Sequence, residues 1–269
     1  MKYIIKFICI LPFLFFANCT DKEDLIFNNY NLNSGRTIYL NDDLKEISGL
    51  TLNKLGDILT HNDEQGIIYK VDSQGVVSEY IRLKNMPQAD FEGIASADDI
   101  VYLVTSKGTI YEVNTFSEDY ITYENSLFYN KEVEGLCYYK KNNSLLLACK
   151  EDMGIMKGIY EFNLDNKTLR QKPLFFINTA DIRFKENRVK EFSPSGIEYN
   201  EITNTFFVIS ANEKAIVEID ENGKFIQVSE LGDIHVQPEG ITFLKDGTLV
   251  ISDEGKDGDA FLTFFNKIK

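Results

Sequence analysis

Three glutamates share one local context. Glu92, Glu134 and Glu239 each stand immediately before a glycine and an aliphatic residue, as Glu92-Gly93-Ile94, Glu134-Gly135-Leu136 and Glu239-Gly240-Ile241. Ser48-Gly49-Leu50 and Ser195-Gly196-Ile197 keep the frame with a hydroxyl in place of the acid. A carboxylate can move a proton, pair with a cation or ligate a hard metal ion. Carboxylates crowded into one place must do one of these, because like charges at close range cannot all stay ionised and unpaired. An all-oxygen donor set without a Cys or His cluster suits Ca2+ or Mg2+ rather than zinc. A divalent-cation site, Ca2+ first, is therefore expected at Glu92, Glu134 and Glu239, with Asn62, Asn212 and Asp253 as the next donors. The competing account is structural: Glu-Gly marks a strand entry, with glycine for close packing and the acid in water. The signal lies in the recurrence, since a single Glu-Gly carries no information.

The two histidines, His61 and His235, are the candidates for a general base beside such an acidic cluster. Ser195 follows a proline and precedes a glycine, but no nucleophile machinery surrounds it. The chain has no Gly-rich phosphate loop, no Gly-x-Ser-x-Gly elbow and no zinc-protease motif.

What must bring the glutamates together is a repeat. The motif glycines fall at 49, 93, 135, 196 and 240, so the intervals are 44, 42, 61 and 44 residues. A period near 43 with several short strands is the size of one four-stranded propeller blade. In the first copy, strands are expected over 48–52, 57–61, 66–71 and 76–83. The second strands are nearly continuous apolar runs, 145–148, 206–209 and 249–251, as strands buried on both faces require. No stretch holds a helical period. The expectation is an all-β propeller of five four-stranded blades, with six as the rival count. The last copy lacks a fourth strand, and 36–40 belongs to no complete copy, so ring closure is expected to pair them. The long interval places an inserted loop at 179–192, carrying Arg183, Lys185, Arg188 and Lys190. In this topology the residue before each motif glycine lies at the mouth of the central channel, and the ends of the second strands form a ring around it.

The N-terminus has a different character. Lys2 and Lys6 precede an apolar run over 7–17, too short for a permanent span. Phe16-Ala17-Asn18-Cys19 resembles a bacterial lipobox, which implies a lipoprotein-type signal peptide over 1–18 and lipidation of Cys19; a plain signal peptide is the alternative. Residues 19–35 are polar and Asn-rich and are expected to be a tether, with one propeller domain over 36–269. The chain is then expected in the cell envelope of a bacterium, exported and held to a membrane by its lipid anchor. Cys137 and Cys149 remain in the body, as two buried thiols or as a cross-strand bridge. With 42 Asp+Glu against 28 Lys+Arg and a formal net charge of −14, the surface repels phosphate and argues against nucleic-acid binding.

Glu46-Ile-Ser-Gly-Leu, Asp90-Phe-Glu-Gly-Ile, and Pro238-Glu-Gly-Ile with Asp246-Gly247 and Ser252-Asp253-Glu254 resemble the SdiA-regulated (YjiK/CarP-like) family of bacterial β-propellers. The resemblance covers about residues 36 to 265. It implies an exported or membrane-associated propeller with calcium at the channel mouth, carried best by Glu92, Glu134 and Glu239; Ser195 departs from the acidic pattern. More distantly, the layout is similar to calcium-dependent lactonases and phytase-like propellers. Two functions stay open. One is a monomeric binding propeller that holds Ca2+ and a small-molecule or protein ligand at the mouth. The other is a metal-dependent hydrolase of lactonase, esterase or phytase-like type using the same funnel.

Overall fold

The computed structural model describes residues 25–86, 89–128, 131–150, 154–182, 192–256 and 258–268. The proposed signal peptide, Cys19 and the lysines and arginines of the 183–190 segment lie outside the described residues.

Five antiparallel sheets form a ring of five blades. Blade 1 runs Ile47–Leu52, Ile58–Asn62, Ile67–Val71 and Val77–Arg82 from the channel outward. Blade 2 runs Phe91–Ala97, Ile100–Thr105, Ile110–Asn114 and Tyr120–Tyr123. Blade 3 runs Val133–Tyr139, Ser144–Cys149 and Met156–Asn163, and this third strand pairs with both Thr168–Leu169 and Phe175–Asn178. Blade 4 runs Gly196–Asn200, Thr205–Ser210, Ala215–Ile219 and Phe225–Glu230. Blade 5 runs Pro238–Phe243, Leu249–Asp253 and Phe261–Phe265. Its fourth strand is Arg36–Tyr39 from the other end of the chain, with Tyr39 opposite Phe261 and Arg36 opposite Phe264. Closure therefore occurs where the unpaired strand and the incomplete copy predicted it, and it leaves no inner sheet edge open.

The sequence pattern explains the layering. Every residue of the second strands in blades 1, 3, 4 and 5 is buried. Their side chains alternate between two neighbouring blades, so five hydrophobic clusters form, one at each blade–blade interface. Outer strands such as Val77–Arg82 are mostly exposed and carry the charge. Part of the acidic and Asn-rich composition is structural. Asp72, Asn114, Asn163 and Asp220, at or just past the ends of the third strands, each accept two backbone N–H bonds through their side chains and so close the next turn.

One feature differs from expectation, and one open alternative is resolved. The tether predicted to reach residue 35 is packed from Leu25 onward. Ile26–Phe27 and Tyr30–Asn31 form a small hairpin, and Phe27, Tyr30 and Leu32 are buried in the cluster between blades 4 and 5. The Tyr30 hydroxyl donates to the Gly247 carbonyl at 2.7 Å, and Phe27 meets Phe207 edge-on at 5.6 Å. Cys137 and Cys149 are not bonded to each other: Cys137 pairs across its hairpin with Leu146, Cys149 with Val133, and the thiols enter different interfaces.

Candidate functional site

The residue before each motif glycine reaches the channel through a break in strand pairing. In blades 1, 2, 3 and 5 the register between the first and second strands shifts across Ile47/Gly49, Phe91/Gly93, Val133/Gly135 and Pro238/Gly240. Ser48, Glu92, Glu134 and Glu239 are thus the extra residues of four β-bulges. A bulge leaves its residue unpaired and re-aims the side chain, here toward the axis. The glycines that follow let the inner strands meet. A Cβ on Gly196 would lie 2.6 Å from the Glu239 carbonyl oxygen, and one on Gly240 would lie 2.9 Å from the Gly49 backbone. Both halves of the Glu-Gly motif are therefore explained, the glycine by packing and the glutamate by the bulge.

Glu92, Glu134, Glu239, Ser48 and Ser195 line one cavity at the narrow end of the channel. It measures about 10 Å³, room for a single water or ion and too little for an organic substrate. The carboxyls are loaded against ionisation. Burial raises the Glu92 pKa to about 9, with further contributions from Glu134, Asp90 and Glu239. The Ser48 hydroxyl, donating at 3.2 Å, works against the rise. Burial raises Glu239 to about 8 against a hydrogen bond from Gln237 Nε2 at 2.8 Å; the same amide also donates to Glu254. Glu134 is held up by burial but pulled back by the Lys150 ammonium 3.1 Å away. Burial works to lower the Lys150 pKa, yet the surrounding acids, Glu134 foremost, leave it raised. Ser195 donates instead to the Pro238 carbonyl at 2.7 Å, tying blade 4 to blade 5.

Wider hollows flank this ring. One of about 210 Å³ adjoins Glu134, Lys150, Asn212 and Glu239. Another of about 520 Å³, between blades 1 and 2, holds Asp63, Glu64, Asp90 and Lys107. Asp63 there is raised to about 7 by burial and by Glu46, Glu64, Glu254 and Asp90.

The remaining candidates divide. Asn212 is exposed at the flanking hollow. Asn62 is buried and spends its amide on the hairpin, donating to the Asp43 carbonyl and accepting from the Gln65 N–H. Asp253 is fully buried; it accepts from Val236 N–H at 2.7 Å and Gln237 N–H at 3.0 Å and meets His235 Nδ1 at 2.6 Å. These bonds hold the 235–237 segment in place and leave Asp253 no opening onto the channel. Both histidines have zero exposure. Burial lowers the His61 pKa to about 4, and the ring packs edge-on against Phe91. The expected pair of accessible bases is thus a pair of core residues. Neither the ion pair of Lys150 with Glu134 nor the Gln237 bridge between Glu239 and Glu254 carries a signal in the sequence.

The donors at the mouth are all oxygen, which fits a hard cation in kind. Among the described residues, however, no group of three or more His, Cys, Asp or Glu side chains is gathered closely enough to enclose a metal ion. A cation here would be held by part of the ring and complete its shell with water.

The fold is similar to that of several solved structures. These include the glutaminyl cyclase of Myxococcus xanthus (15% identity, TM-score 0.59, covering 86% of this chain and 94% of that one). A luciferin-regenerating enzyme follows (10%, 0.54, 82% and 78%), then a chain of a nidogen/laminin complex (13%, 0.52, 77% and 72%). At such identities the likeness shows the fold alone. No curated protein matches the chain. A family model described as SdiA-regulated matches residues 179–261, from the end of blade 3 through the first residue of the third strand of blade 5. The chain is thus a five-bladed β-propeller whose 179–261 portion matches the SdiA-regulated family.

Proposed function

We propose that the protein is a binding propeller of the cell envelope whose channel mouth takes up one Ca2+ and whose surrounding face receives a small-molecule or protein ligand. The observation that carries the reading is the ion-sized cavity lined by Glu92, Glu134 and Glu239, with two of the three acids pushed to about 9 and about 8. Burying carboxyls this way disfavours their charge, and a divalent cation is the ligand that would return it. Glu92 and Glu239 would hold the ion with the Ser48 hydroxyl near, while Lys150 keeps Glu134 engaged. A bound ion would supply positive charge to which an anionic ligand group could attach; the flanking hollows offer the volume that the mouth lacks. A hydrolytic role is less well supported, because both histidines are enclosed and the two serines at the mouth spend their hydroxyls on Glu92 and on the Pro238 carbonyl. Anchoring through Cys19 is part of the proposal and rests on the lysine-led apolar segment and Phe16-Ala17-Asn18-Cys19.

Calorimetric titration with Ca2+ at pH 7.5 tests the site. Binding should raise the melting temperature and release protons, and Glu92→Gln or Glu239→Gln should weaken it at least tenfold. If millimolar Ca2+ moves neither the heat nor the melting temperature, the reading fails. Replacing Cys19 with Ser should shift the protein from the membrane to the soluble fraction.

A further inference from the structure

The opposite end of the channel is wide. A cavity of about 300 Å³ opens there, walled by the far ends of the inner strands of all five blades. That volume is at the lower end of the range for small-molecule sites. Its one acid on an inner strand is Glu198. The position is distinctive: two residues past the motif glycine the other blades carry Thr51, Ala95, Cys137 and Thr242. Glu198 Oε1 accepts from its neighbour's N–H, that of Tyr199, at 2.8 Å, and Oε2 accepts from the Thr242 hydroxyl at 3.2 Å. A carboxylate has about four acceptor positions, so about two stay open. The side chain is partly exposed although it lies deep in the ring, which means that it is exposed to the cavity. Burial raises its pKa to about 8 in spite of both hydrogen bonds, and Glu201 adds to the rise.

Among the described residues, no cationic group pairs with Glu198. Lys245 lines the cavity, but its ammonium donates to the Lys54 carbonyl at 2.7 Å. The Tyr138 hydroxyl is tied to Asn143, and that of Tyr199 to Asn204 and Glu221. Cys137 is buried and its pKa is raised, so it stays a neutral thiol. Tyr138 and Phe243 give the wall its aromatic part.

We propose that this cavity is a second binding site, taking a small linear primary amine whose ammonium pairs with Glu198 while its methylene chain lies among Tyr138, Phe243 and Leu244. Aromatic walls suit a cation and its alkyl stem, and the acidic molecule attracts cations to either mouth. As the ammonium docks, the Glu198 carboxyl gives its proton to solvent and the resulting carboxylate accepts from the ligand.

Titration calorimetry of the purified protein with putrescine at pH 7, in two buffers of different ionisation enthalpy, tests the site. Expected are saturable binding and release of close to one proton. Glu198→Gln keeps the shape and an acceptor oxygen; it should weaken binding at least tenfold and end the proton release. Glu79→Gln, the same change of charge on the outer strand of blade 1, should change neither. Absence of binding, equal binding of the uncharged isostere 1,4-butanediol, or a Glu198→Gln variant that binds like the parent would each overturn the proposal.

Discussion

The two ends of the channel are made by the same five strands and come out opposite in character. At the entry, glycines let the backbones close until only about 10 Å³ remains, and acids on bulges fill the rim. Only a few residues further along each strand, side chains replace the glycines, the ring splays and about 300 Å³ opens. The entry meets its surplus of negative charge with Lys150, the Gln237 amide and raised pKa values. The exit leaves Glu198, its one inner-strand acid, facing a partly aromatic hollow. Channel width in this fold is thus a matter of one side-chain position per strand.

The contrast can be tested from its strongest consequence downward. Gly240→Ala should cost about 3 kcal/mol in urea unfolding, since the new methyl would meet the Ser252 hydroxyl and the Gly49 backbone. Thr242→Ala at the wide end should cost roughly 1 kcal/mol, the value of one modest hydrogen bond. Equal costs would erase the distinction between a closed and an open end.

Next in size is the pH response of the entry. Glu92 and Glu239 have folded pKa values raised above the ordinary carboxyl value of 4.5. Between that value and pH 9 the native state holds more protons than the unfolded one, so stability falls as pH rises. His61 acts on the other side: its folded pKa, about 4, lies below the ordinary 6.5, so stability also falls as pH drops from 6.5 toward 4. Over pH 4.5 to 6.5 the two limbs overlap and the two acids outweigh the single histidine, so on these groups the melting temperature should be highest near pH 4.5 and decline toward pH 9. Glu92→Gln should flatten the alkaline limb and be roughly 2 kcal/mol more stable than the parent at pH 8.5 without Ca2+. A variant with an unchanged alkaline limb would show that the entry is not loaded with charge.

A smaller effect is expected from Lys150→Met. Loss of the partly exposed ion pair with Glu134 should destabilise by about 1 kcal/mol, while Ca2+ affinity rises severalfold because a competing cation has left. Smallest of all, a reductant should leave the melting temperature unchanged, since Cys137 and Cys149 form no disulfide with each other.

Much of this was written in the sequence as repetition. The 42–44-residue spacing, the apolar runs such as Phe206-Phe207-Val208-Ile209 and the orphan strand at 36–40 led to the five blades and their closure. The convergence of Glu92, Glu134 and Glu239 followed from topology, because equivalent positions of a ring must meet at its axis. What stayed hidden depends on side-chain reach and depth. Nothing local says that Lys150 turns inward to Glu134, or that the His235 ring is enclosed with Asp253 rather than open to solvent. For His61 a signal existed, since it ends the buried run Ile58-Leu59-Thr60. Glu198 was detectable as the one acid in a column of Thr, Ala and Cys. The 25–34 hairpin was not, because strands of two residues are too short to show a period.

That hairpin bears on how the molecule carries force. The closing strand has only four paired residues, Arg36–Tyr39, and a pull on the preceding chain would tend to peel them from the rim one by one. The pull does not reach them directly. Any tension transmitted from upstream of Leu25 first has to extract Phe27, Tyr30 and Leu32 from between blades 4 and 5. Like the grommet on an electrical cable, the hairpin takes the load before the joint does, so the ring can be tugged from its N-terminal side without its seam being the first part to open.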